Sequence, residues 1–282
     1  MPDLFGLASI ATKFALYLGV LASVGTGLAA VLFRLNRYRG FAVGFAVLGM
    51  AATLLGFLLA GAALTGDASG MTDPEMLGLL WSTPVGTAVA LRITGLGLFV
   101  LGLFVGRIGL GLSLIGGLLA LWSFVHIGHI HDRGSLQLNL VLLFHLTAAS
   151  IWIGILHPLR ALSLDTAKLP EASEVGHRFG RMAAVFVPLL VLAGGYMSYE
   201  LVGSISALLS GGYGQTLLLK VLFVAGLLGI AAANKLRFVP QMAAGDQAAA
   251  RHLAKSISFE WMVISVILFA TAALTSVLTL PS

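Results

Sequence analysis

The chain has 282 residues, 59% hydrophobic and 10% charged, with a net charge of +5, a mean hydropathy of +1.01 and no cysteine. Soluble domains carry roughly a quarter charged residues, so an ordinary water-soluble domain is excluded. Disulfides and thiolate metal sites are excluded too, which leaves imidazole, thioether, carboxylate and backbone as metal donors.

Apolar runs near 20 residues recur at 10–33, 41–64, 84–105, 109–130, 136–157, 183–205, 216–234 and 258–280. Each is long enough to cross a hydrocarbon core of about 30 Å as a helix. The short alternating segments of a membrane barrel are absent. The pattern predicts an all-α, polytopic membrane bundle of eight transmembrane helices in a single domain, 1–282. An external loop, Thr65–Thr83, holds Met71, Asp73, Glu75, Met76 and Trp81. The loops at 158–182 and 235–257 are long enough for short surface helices.

Twelve of the sixteen Lys and Arg lie in the turns after the first, third, fifth and seventh runs: Arg34, Arg37, Arg39, Arg107, Arg160, Lys168, Arg178, Arg181, Lys235, Arg237, Arg251 and Lys255. Basic loops stay cytoplasmic, so both termini are expected outside. Asp3 and the lack of an early basic segment predict an uncleaved first span. The pI near 9.8 then reflects topology and contact with anionic lipid headgroups, with no call for nucleic acid. Gly86 precedes Arg92 by six positions, and Gly214 precedes Lys220 by the same number, each pair opening a span. That match hints at two parallel four-helix halves.

Four histidines fall between Val125 and His145. Intramembrane ionisable groups are costly and mark functional sites, and imidazole is a common ligand for copper, zinc and iron. His126 and His129, three positions apart, are expected to share a helix face near the end of the fourth span. His131 follows in the loop, and His145 lies about 13 Å into the fifth span at 1.5 Å per residue. The depths suit an outer and an inner position better than one shared ion. A lone membrane histidine also serves as a hydrogen-bonding group between helices, and that reading stays open for His145. Met71 and Met76 offer soft thioethers on the same side. Lys13, Arg92, Glu200 and Lys220 sit within spans and predict an outward-facing polar cavity, with Glu200 paired to one of the three cations. Snorkelling is the alternative for Lys13 and Lys220.

Together these residues resemble the copper-resistance D (CopD) family of bacterial inner-membrane proteins. Gly128-His129 resembles a Gly-His near the end of that family's fourth span. His145 to Gly154, with Trp152, resembles a His…Trp-x-Gly-Gly segment, Ile155 replacing the second glycine. His177 to Gly180 resembles an Arg-Phe-Ser entry to the sixth span. Tyr213-Gly214 with Lys220 resembles the opening of the seventh, and Asn234-Lys235 with Pro240 its exit. Glu260 matches a glutamate at the start of the last span. The resemblance implies copper handling, as Cu(I) or Cu(II), alongside a periplasmic copper-binding partner, with His129 and His145 as the matched histidines.

The leading expectation is therefore a non-enzymatic copper-binding protein that transports copper or helps to transport it. External capture would use His129 with His126, His131, Met71 or Met76, and His145 would receive the ion. Ligation needs neutral imidazole, so binding should weaken as pH falls. No phosphate-cradling motif is present to couple transport to ATP. The alternatives are a haem b electron-transfer protein, with His145 and His129 or His126 as axial ligands, and a scaffold that delivers copper to a periplasmic enzyme.

Overall fold

The structure, a computed structural model, describes residues 4–36, 38–128 and 130–276. With no water in a bilayer core, each backbone N–H and C=O must be satisfied within its own segment, and helices do this locally. Among the described residues there is no strand, and eight helices are long and apolar enough to cross a membrane. These are α1 (Leu4–Phe33), α2 (Arg39–Thr65), α4 (Pro84–Gly102), α5 (Gly106–Trp122, prolonged by a 3-10 turn to His126), α6 (Leu136–Leu164), α7 (Leu169–Val202), α9 (Gly212–Ala233) and α11 (Gln247–Ser276). Three short helices lie between them: α3 (Pro74–Trp81), α8 (Ile205–Ser210) and α10 (Val239–Ala243). An even number of crossings puts the chain's two ends on one face, hereafter the termini face. The Lys13 ammonium, near the start of α1, accordingly donates to the Thr275 carbonyl at the end of α11.

Helix α1 is the hub, packed against α2, α6 and α11. Its most apolar window is 72% buried inside the fold, against 6% for the span built on α7. Lipid tails are as apolar as leucine, so close packing rather than the hydrophobic effect holds membrane helices together, and small residues permit it. At the α1–α6 crossing a Cβ on Gly25 would collide with the Ser150 carbonyl, and one on Gly154 with the Gly25 backbone. The α4–α5 hairpin is closed in the same way through Gly95 and Gly116.

Three expectations need correction. The fourth span does not run helically to residue 130: α5 gives way to the 3-10 turn Ser123–His126, Ile127 is extended, and Gly128 has φ of 92°. The segment 158–182 is not a loop with surface helices, because α6 runs through Pro158 to Leu164 and α7 begins at Leu169. The segment 235–257 contains the short α10, but its second part belongs to α11.

The paired glycines of the duplicated pattern do the same job. A Cβ on Gly86 would strike the Trp81 carbonyl ending α3, and one on Gly214 would strike the Leu208 carbonyl in α8. In both places glycine lets a short helix fold tightly onto the start of the span that carries the basic residue.

Candidate functional site

The connection from α5 to α6 carries the histidine-rich segment on the termini face. A 3-10 turn, His131–Arg133, ends at Gly134 with φ of 61°, and the Ser135 hydroxyl then caps α6 by accepting from Leu138 N at 3.4 Å. The chain folds back so that the half-buried His126 and the exposed His131 have ring centres 6.3 Å apart. Metal–imidazole bonds are about 2 Å long, so modest side-chain rotation lets these two rings share an ion. The expected common helix face of His126 and His129 is not formed, since regular helix ends at Trp122. His129 itself lies outside the described residues.

His145 is two and a half turns into α6 and looks the other way, toward α7. A Cβ on Gly194 would come within 3.3 Å of its Cε1, so glycine at that position makes room for the ring. The ring meets the Leu190 backbone on α7 in a weak hydrogen bond, Nδ1 is buried with no partner of full hydrogen-bond geometry, and Lys220 on α9 is within electrostatic reach. Among the described residues no group of three or more His, Asp or Glu is placed to hold a metal ion. The pair His126–His131 and the single His145 are thus two separate positions. Met71 ends a 3-10 turn and Met76 lies on α3; these elements pack on α2 and α4, in the connection before the third span. Asp67 and Asp73 fix that connection by accepting from Ser69 N at 2.7 Å and Glu75 N at 2.9 Å. The Ser69 bonds hold the Asp67 carboxyl below the usual aspartate range.

The charged groups within spans are partnered in an unexpected way. Arg92 is 3% exposed; its Nε donates to the Ser123 hydroxyl at 2.9 Å, and its guanidinium carbon stands 4.6 Å from the centre of the Phe124 ring. Tyr17 stacks on Phe124 at 5.2 Å and meets the Thr275 hydroxyl at 3.3 Å. Lys13, Tyr17, Arg92 and Phe124 therefore form one polar-aromatic cluster at the termini face. The predicted ion pair of Glu200 with Lys13, Arg92 or Lys220 is absent among the described residues, where the two ion pairs are Lys168–Asp165 and Arg178–Glu174. Glu200 instead has the Tyr196 hydroxyl within electrostatic reach, one turn before it on α7. A neutral partner next door is cheaper to hold than a long-range pairing across helices.

A second polar site lies toward the opposite face. Glu260 on α11 is 3% exposed and accepts from Trp152 Nε1 at 2.9 Å and from Asn234 Nδ2 at 2.5 Å. Asn234 opens a π-helical turn, Asn234–Phe238, at the end of α9. These three side chains line a cavity of about 260 Å³ whose walls include Gly176, Gly180 and Pro188 of α7. Sequence reading named the three residues only singly. They come from three spans more than 25 positions apart, and the one local signal is a polar residue in an otherwise apolar run.

Comparison with known families gives two matches. The Copper resistance protein D-like N-terminal domain matches residues 1–138, and Copper resistance protein D matches residues 173–274. No curated protein and no solved structure gives a match. With one family model on the first four crossings and another on the last three, the chain belongs to the copper resistance D family.

Proposed function

We propose that this protein binds copper on the termini face and moves it, or helps to move it, across the bacterial inner membrane, with that face in the periplasm. Membership of the family supports a role in copper resistance or transport. Copper is captured by His129 with His126 and His131, and the thioethers of Met71 and Met76 supply soft donors for Cu(I). His145 is the deeper station.

One observation carries this reading. The His145 ring is buried in the bundle with a glycine facing it, and beyond its contact with the Leu190 backbone Nδ1 has no hydrogen-bond partner. Buried polar atoms are nearly always satisfied, and an exception calls for an explanation. An imidazole seated there is a nitrogen donor deep in the bundle, and its contact with the Leu190 backbone is one that a metal ion would have to displace.

The test is copper uptake into sealed vesicles by the native chain, by His145→Ala and by the double variant His126→Ala/His131→Ala. Loss of uptake with surface binding retained in His145→Ala supports the two-station route. Native vesicles that bind copper without accumulating it favour delivery to a periplasmic partner instead. A Soret band in purified protein would replace copper with haem b.

A further inference from the structure

We propose that Glu260, with Asn234 and Trp152, is a proton-binding site that opens onto the cavity toward the opposite face, separate from the copper stations. A carboxylate taken out of water needs compensation, and burial without an opposite charge is costly. Glu260 receives two neutral N–H donors, one on each oxygen. Among the described residues no cation forms an ion pair with it. The compensation left to such a group is a proton.

Asn234 is suited to both states of the carboxyl. Its Nδ2 donates to the ionised group, while its Oδ1 is buried, without a partner, in a residue that is 7% exposed and lines the cavity. An amide presents a donor and an acceptor on one planar group. When Glu260 takes a proton, rotation of that amide brings the oxygen to accept the new O–H. Trp152 offers only a donor, so it favours the ionised form. The cavity beside them, about 260 Å³, far exceeds what one water needs, and water there is the proton's source and acceptor. The π-helical turn that begins at Asn234 fits this assignment, because such turns recur at functional sites.

Most charged side chains on the packed elements are exposed or engaged elsewhere, His177, Arg181, Arg237, Arg251 and Lys255 among the exposed ones. Of the titratable side chains on the packed elements, Lys235 also lines the cavity, as an exposed residue whose stem crosses Gly180. On α6, His157 is stacked on Phe41 and Arg160 donates to Ser258. On α7, Arg178 is held by Glu174 and the Leu32 carbonyl. On α11, His252 is stacked on Phe238. Helix α1 brings no titratable group between Tyr17 and Arg34.

The experiment is pH-difference infrared spectroscopy on the full chain in lipid vesicles without copper, so that its outcome is independent of transport. The native protein is expected to show a carboxyl C=O band that comes and goes with pH. Glu260→Gln loses this band, and Trp152→Phe, which removes only the N–H, shifts its midpoint. The band should be indifferent to exchange of sodium for potassium or choline. A native spectrum identical to that of Glu260→Gln overturns the proposal, and so does a band suppressed by sodium, which would make the ligand a metal cation. Should Glu260→Gln fail to fold, Trp152→Phe and Asn234→Leu decide alone: an unmoved midpoint in both overturns it.

Discussion

Arg92 and Glu260 are buried to the same degree, each 3% exposed, yet they are housed in opposite ways. Around Arg92 the neighbours close in: the Ser123 hydroxyl accepts a hydrogen bond from Nε–H, the Phe124 ring lies against the guanidinium, and Tyr17 stacks on that ring. Around Glu260 the two donors are neutral, a neighbouring amide oxygen is idle, and a cavity adjoins. A charge enclosed by packing locks helices together. A charge left next to open space exchanges something with that space. Burial alone does not separate structural from functional groups; the surroundings do.

The most severe way to break this comparison is to remove the scaffold that both regions share. Gly25→Leu drives a side chain into the Ser150 carbonyl where α1 crosses α6. A loss of about 3 kcal/mol is expected from overpacking, read as a lower unfolding midpoint and a loss of monodisperse protein. Trp152→Phe is next. It strips one donor from the buried Glu260 carboxyl and should cost about 2 kcal/mol where that group is ionised. Ser123→Ala removes the acceptor of the Arg92 Nε proton; about 1.5 kcal/mol is expected for a bond to a charged group, with no effect on copper uptake. Equal damage to uptake from Ser123→Ala and His145→Ala would erase the distinction between enclosed and open sites.

The smallest effect belongs to the connection that carries Met71. Asp67 accepts from Ser69 N, and its carboxyl titrates below the usual range in the folded chain. A depressed carboxyl contributes stability above its unfolded value and loses it as pH falls through the folded one. Protection of the Ser69 amide, taken relative to its intrinsic exchange rate, should therefore fall only in acid, and Asp67→Asn should remove that pH dependence. Unchanged protection across this range would show that the turn is held by its backbone alone.

The crossings were legible because the bilayer imposes one rule on every residue of a span, and that rule is written in composition. Termination was harder to read. Hydropathy carried the fourth span past His129, whereas the chain departs from helix at Ser123 and turns at Gly128, a left-handed position invisible to an apolarity count. The same method cut α6 short at His157, although the helix absorbs Pro158 and continues. At the site level, His126, His131 and His145 stood out because imidazole is rare in lipid. Trp152, Asn234 and Glu260 did not form a set, since neither position nor spacing ties three distant spans together before they pack. Glu200 misled for a related reason: it is a charge in a span like the others, but its neighbour is the Tyr196 hydroxyl one turn away.

The uneven burial of the crossings has a practical consequence. Only 6% of the residues in the apolar window on α7 and 11% of those on α9 are fully buried, against 72% for α1. Each packs on one flank, α7 against α6 and α9 against α11, and leaves much of its surface to whatever surrounds the protein, so the choice of surfactant is in effect a choice of packing partner. Short-chain detergent should loosen the wall that carries Gly194, Lys220 and Asn234 while the α1 hub stays intact, and nanodiscs are the medium in which metal and proton binding should be compared.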